Sequence, residues 1–267
     1  MKLDTPLTLA ISPCPNDTFI FEQWVEGGLA DFAAPITAFA DVQTLNEAAA
    51  HGVYDVIKIS CAQIAEVQDQ YEVLPCGGAM GFGCGPLLLS SRAGVFDPQT
   101  LTLLPGRNTT AALLFRFWAT RELLVDFRPF DQVYQGLLDG SFHQGVVIHE
   151  HRFTWKRDGL HLLEDLGNYW ESRTGCPIPL GVIVAKKSLG KHVISQVTNA
   201  IRASLTAAWA RTELLTPFIR NHAQETETAV MEAHIRMFVN EFSADIGATG
   251  KKALAMLEQC FTIQIRH

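Results

Sequence analysis

Gly83-Cys84-Gly85-Pro86 runs straight into Leu87-Leu88-Leu89-Ser90-Ser91, and much later Gly175-Cys176-Pro177-Ile178-Pro179 runs into Leu180-Gly181-Val182-Ile183-Val184-Ala185-Lys186-Lys187. Each is a Gly/Pro-rich approach to an apolar strand with a polar exit. An unbroken apolar run between breakers reads as a strand buried on both faces. We read the pair as two strands that cross between lobes, so that the chain leaves one lobe and later returns to it.

Working outward, the first third alternates strands and helices. Leu7 to Ile11 reads as a strand, followed by the turn Ser12-Pro13-Cys14-Pro15-Asn16 and a helix from Thr18 to about Glu26 capped by Asn16 or Asp17. Ile36 to Phe39 reads as a strand, Leu45 to Ala50 as a short helix, Tyr54 to Ile59 as a strand, and Cys61 to Val67 as a helix capped by Ser60. This rhythm argues for a largely parallel sheet covered by helices. A second such unit follows: strands at Leu101–Leu104, Leu124–Phe127 and Gly145–Ile148, with helices at Thr110–Leu123 and Phe130–Leu138. After Lys187 the chain is almost all helix, with Ile194, Val197, Ile201, Leu205 and Ala208 at three- and four-residue steps. The fold class is therefore α/β, with residues 1–90 plus 186–267 in one lobe and 91–185 in the other. Two lobes joined by two crossings describe the periplasmic-binding-protein type II architecture, with the ligand site in the interlobe cleft.

The bulk numbers fit. A chain of 267 residues, 48% hydrophobic, buries enough apolar surface for two lobes. It has no apolar run of the ~20 residues that a membrane helix needs, so no membrane partner is expected. A net charge of −7 argues against a nucleic-acid partner, which wants a basic face. The opening Met1-Lys2-Leu3-Asp4-Thr5-Pro6 carries no signal-peptide core, which points to the cytoplasm. Six cysteines with no CxxC read as reduced, buried thiols; Cys14 and Cys61 lie beside candidate site loops. The sequence leaves room for a homodimer and does not fix the oligomeric state.

Three strand-to-helix junctions look alike: Ser12–Asp17, Lys58-Ile59-Ser60 and Gly106–Thr110. Open α/β sheets bind ligands beyond the carboxyl ends of their strands. A helix start offers free N–H donors to a carboxylate. Lys58, in an otherwise apolar strand, either points to water at the strand end or meets an anion. Gly106-Arg107-Asn108-Thr109-Thr110-Ala111 is either a plain capped helix or a cradle for an anionic ligand, and no GKS or GKT makes it a nucleotide loop. His149-Glu150-His151 follows an apolar strand; if the strand continued, the two histidines would share a face. A metal site would need a third ligand, which the spacing does not supply, whereas a histidine at a strand end suits a general base. No GxSxG elbow and no helix-opening GxGxxG is present.

Taken together, the motifs resemble those of the 1,4-dihydroxy-6-naphthoate synthase family, a lyase family of menaquinone biosynthesis. The resemblance rests on Ser12–Phe19, Tyr54–Ser60, Gly83–Pro86, Pro105–Ala111, Ile148–Glu150 with Arg152–Thr154, and Gly175–Gly181, in order along nearly the whole chain. It implies conversion of cyclic dehypoxanthine futalosine, a small-molecule carboxylate, into 1,4-dihydroxy-6-naphthoate, without metal or organic cofactor. It implies that His149 is the base that takes a proton from a substrate hydroxyl and starts carbon–carbon cleavage. Lys58, Ile59 and Ser60 would hold substrate from the first lobe, Thr109, Thr110 and the Ala111 N–H from the second, and Asn46 is a further polar contact. The alternatives are a solute-binding protein without catalysis and the sister enzyme chorismate dehydratase.

Overall fold

The structure, a computed structural model, describes residues 6–265, with side chains through residue 260; residues 1–5, on which the signal-peptide expectation partly rests, lie outside the described residues. The first lobe begins with β1 (Thr8–Ile11), α1 (Pro15–Val25), β2 (Ile36–Phe39), α2 (Val42–Ala50), β3 (Val56–Ser60), a single 3₁₀ turn, α3 (Ile64–Val67), β4 (Tyr71–Val73) and β5 (Ala79–Gly81). The second sheet follows with β6 (Leu87–Ser90), β7 (Thr102–Leu104), α4 (Thr110–Ala119), β8 (Val125–Phe127), α5 (Phe130–Leu138), β9 (Gln144–Val147), α6 (His151–Thr154), β10 (His161–Asp165) and α7 (Leu166–Thr174). The chain then returns through β11 (Ile178–Lys186) to α8 (Gly190–Trp209), α9 (Pro217–His222), α10 (Thr228–Phe238), α11 (Glu241–Ala244) and α12 (Gly247–Ile265).

The two sheets are built alike. The first runs β2-β1-β3-β11-β4, with β5 also on β11; the second runs β10-β6-β9-β7-β8. In each, three strands are parallel, and the strand that follows a crossing (β6 or β11) lies antiparallel beside the third of them. The expected largely parallel sheets are thus mixed. The crossings themselves are the Gly/Pro-rich approaches, because β6 pairs wholly within the second sheet and β11 wholly within the first. We propose the lobe borders there, at 82–86 and 175–177, in place of 90/91 and 185/186.

Burial explains the helical layer. α1 is buried along most of its length, so it sits between the sheet and the C-terminal helices rather than on the surface. Phe19, Ile20 and Trp24 share one core with Leu9 and Ile11 of β1 and with Ile194, Val197, Ile201, Leu205 and Ala208 of α8, the stripe expected from the sequence. α1 starts three residues before the expected Thr18. Pro15 needs no N–H partner at the first helical position and its fixed φ suits a helix, so Cys14 becomes the N-cap. Among the described residues, no helix is long and apolar enough to cross a membrane.

The first crossing packs backbone on backbone. A Cβ on Gly85 would lie 2.3 Å from the Gly167 Cα, at the start of α7. The Gly85 carbonyl accepts a 2.6 Å hydrogen bond from Arg152 Nη1, whose Nη2 donates to Asp165 at 3.0 Å. Gly85→Ala should therefore force the crossing off α7 and cost about 1–3 kcal/mol of stability, the range for overpacking. Urea denaturation of the variant beside the wild type measures it; equal midpoints would show that the segment yields.

Candidate active site

All four relevant parallel strands end on the same cleft. β1 delivers Ser12, Asn16 and Asp17; β3 delivers Lys58 and Ser60; β7 leads to Thr109, Thr110 and Ala111; β9 leads to Ile148 and His149. Together with Arg152, His234, Phe238, Gly85 and Leu180 they line one concave pocket, as small-molecule sites are.

The floor is a buried ion pair. Lys58 Nζ donates to Asp17 Oδ1, and both side chains are almost wholly shielded from water. Asp17 Oδ2 accepts from the Ser12 N–H at 3.2 Å and from its Oγ–H at 2.7 Å, and Oδ1 accepts from Asn16 Nδ2 at 2.8 Å. Asp17 therefore does not cap α1; it neutralises the lysine of the neighbouring strand. Of the two alternatives for Lys58, the anion is the one realised, and it is supplied by the protein.

Ser60 does not cap its helix by side chain either. Its N–H donates to Asn46 Oδ1 at 2.8 Å, and its Oγ accepts from Asn46 Nδ2 at 3.2 Å. Asn46 Nδ2 also reaches the Asn108 carbonyl at 3.0 Å, so this amide ties the first-lobe junction to the second-lobe turn. Asn46 thus stands behind Ser60, outside the cleft lining, and the Ile59 side chain packs in the core. Thr109 caps α4, its Oγ1 accepting from the Ala112 N–H at 3.1 Å. Thr110 Oγ1 donates to the Leu180 carbonyl at 2.9 Å. The Thr110 and Ala111 N–H groups, first on the helix, have no acceptor within it.

His149 departs from the strand reading. β9 ends at Val147, and His149 turns through φ +56°, in the left-handed region. His151 instead opens α6, with its ring stacked on Tyr134 at 3.8 Å, so the two histidines do not share a face. The turn sets the His149 ring in the cleft wall, 5.0 Å from the Phe130 ring and with Nδ1 3.7 Å from Cys14 Sγ. Protein mass around the ring pushes its imidazole down to about 4, so it is neutral near pH 7. Burial pushes the Cys14 thiol well above its ordinary value, keeping it protonated. Among the described residues, no three histidine, cysteine or carboxylate side chains are grouped to share a metal ion.

With this geometry in place, the comparisons with known proteins are specific. A family model described as menaquinone biosynthesis matches residues 7–262. The chain belongs to the menaquinone-biosynthesis family. It is similar to a 1,4-dihydroxy-6-naphthoate synthase of Streptomyces coelicolor, at 43% identity over 95% of this chain and 92% of that protein. A synthase of the same name from Thermus thermophilus is 40% identical over 94% and 92%. A crystal structure of an Archaeoglobus fulgidus protein matches with a TM-score of 0.92 at 25% identity, covering 98% of both chains. A Candida albicans protein described as having the generic periplasmic binding protein fold matches with a TM-score of 0.63 at 10% identity, covering 97% and 90%, which shows the fold.

Within this family member, the structure adds residues that sequence reading missed. Asp17 read as a helix cap, and its partner lies 41 residues away. Arg152 read only as part of a motif, yet it lines the cleft and holds the crossing. His234 lies on α10 among Met231, Ile235 and Phe238, where spacing alone reads it as core.

Two outcomes follow. Lys58→Met should cost about 3–5 kcal/mol, because it strands the Asp17 carboxylate without its counter-charge. Adding Asp17→Asn should recover part of that loss in denaturant unfolding; a neutral single variant would contradict the pair's role. Burial, with Glu225 and Asp131 nearby, pushes the Glu150 carboxyl up to about 7. A raised carboxyl favours folding at low pH and loses that contribution as pH rises through about 7. Glu150→Gln should therefore gain melting temperature relative to the wild type between about pH 5 and about pH 8.5. A constant difference across that range would contradict it.

Proposed function

We propose that this chain is a carbon–carbon lyase that converts cyclic dehypoxanthine futalosine into 1,4-dihydroxy-6-naphthoate, with His149 as general base. The observation that carries the reading is the His149 turn: a non-glycine residue held at φ +56° at a strand end, presenting a neutral imidazole to the interlobe cleft. Residues held in this region cost of order 1–3 kcal/mol and cluster at working sites.

We assign the tautomer with Nδ1–H directed at Cys14 Sγ, which leaves the Nε2 lone pair to take a proton. Loss of a hydroxyl proton to Nε2 turns that C–O bond into a carbonyl as the adjacent carbon–carbon bond breaks. The carbonyl leaves on the small sugar-derived fragment, and the freed electron pair enters the ring that becomes aromatic. Because Lys58 is already paired, the substrate carboxylate is assigned to the Thr110 and Ala111 N–H groups, with the Ser60 hydroxyl as further donor. The Lys58–Asp17 pair then serves to hold the floor. Closure of the lobes over the ligand would exclude water from the proton transfer. Six unpaired, buried thiols support a cytoplasmic setting.

The test is turnover of cyclic dehypoxanthine futalosine followed by mass spectrometry. The wild type should release many equivalents of 1,4-dihydroxy-6-naphthoate. His149→Asn, which tolerates the left-handed turn, should fold normally and lose about 10²–10⁴ of the rate. Stoichiometric binding without product would favour a binding protein, and turnover of chorismate instead would favour the sister dehydratase.

A further inference from the structure

His234 is a buried titratable group in the cleft that the mechanism above leaves unused. It lies on α10, is 1% exposed, and lines the same cavity as His149. Neither of its ring nitrogens has a hydrogen-bond partner in the protein. Its neighbours are apolar rings: Phe238 at 4.6 Å and Phe153 at 6.4 Å between centroids. A phenylalanine or leucine would fill that space without leaving buried polar atoms unsatisfied, which is costly. Packing therefore does not account for an imidazole here, whereas a ligand in the cleft does.

Its geometry relative to the base is defined. The His149 and His234 rings lie 6.1 Å apart between centroids and only 21° from parallel, so one small ligand can touch both. Shielding from water holds the His234 imidazole well below its ordinary value, so it is neutral and carries one N–H donor.

We propose that His234 is a second substrate-contacting residue, whose N–H donates to the ring oxygen that receives the electron pair of the broken carbon–carbon bond. The proposal rests on the lyase reading above. The two ring hydroxyls of a 1,4-dihydroxynaphthoate are the enol forms of ring carbonyls. When His149 removes the hydroxyl proton, the O–H pair becomes the new carbonyl of the departing fragment. The carbon–carbon pair then passes through the ring to a carbonyl oxygen, which becomes an enolate. That oxygen recovers one proton to become a product hydroxyl, so the step is balanced without oxidant or reductant. A fixed donor aimed at the oxygen that gains charge stabilises the transition state more than the ground state.

The experiment compares wild type, His234→Phe and His234→Gln in turnover, thermal melting and binding of 1,4-dihydroxy-6-naphthoate followed by fluorescence. His234→Phe should lose about 10²–10³ in kcat, as removal of an oxyanion donor does. It should melt at or above the wild-type temperature, because it removes two unsatisfied polar atoms; a purely structural histidine would show the reverse. His234→Gln, which keeps an N–H donor but no basic nitrogen, should recover at least about tenfold of the loss. A His234→Phe variant within about threefold of wild-type kcat, or a His234→Gln variant as slow as it, overturns the proposal. If His234→Phe does not fold, His234→Leu is judged by the same criteria. Product binding separates the two readings. Wild-type protein that binds the naphthoate but turns nothing over refutes the lyase reading. Equal naphthoate affinity in wild type and His234→Phe refutes the His234 contact.

Discussion

One pair of opposite charges taken out of water sets the terms for the cleft. Lys58 comes up from β3 and Asp17 from the first turn of α1, and neither has bulk solvent to fall back on. Desolvation makes each charge depend on the other, and the Ser12 and Asn16 donors fill the remaining acceptor sites of the carboxylate. The pair thus fixes the start of a buried helix against the end of a buried strand. It also uses up the lysine. With a floor that is polar but neutral overall, the proposed carboxylate site falls to the helix starts, where N–H groups are free without any side-chain charge.

The repeated sheet design explains why these pieces meet. Each sheet has three parallel strands, two of which deliver cleft residues (β1 and β3, β7 and β9), and each accepts an antiparallel strand that arrives by a Gly/Pro-rich crossing. Close backbone contact between Gly85 and Gly167, with Arg152 bridging to Asp165, makes the crossing a fitted joint. The Asn46 amide spans from Ser60 to the Asn108 carbonyl on the other side. The proposed proton transfer from a bound ligand would depend on such joints, because misplacing reacting groups by an ångström costs much of the rate.

Much of this was legible in the sequence, and the rest was not for identifiable reasons. Strand Ile36–Phe39, helix Phe130–Leu138 and the α8 stripe follow from local periodicity, and the structure agrees with them. The short strands Tyr71–Val73 and Ala79–Gly81 were missed, since three residues carry no period and glycine masks the second. Local periodicity does not assign the stretch 161–174, although Asp165 caps α7 by accepting from the Asn168 N–H. Local reading makes Asp17 and Ser60 caps, which is the ordinary role of their residue types, while partners 41 and 14 residues away engage them instead. His149 was legible as a strand-end histidine, but its left-handed turn was not. His234 was invisible, since a histidine among apolar neighbours on a helix carries no signal until the cavity beside it is seen.

The most direct test of this account is a crystal structure of the protein with 1,4-dihydroxy-6-naphthoate bound. The account predicts the carboxylate at the Thr110 and Ala111 N–H groups, with the dihydroxy ring in reach of both His149 and His234. A naphthoate bound outside the interlobe cleft, or with its carboxylate on Lys58 after displacement of Asp17, would contradict it.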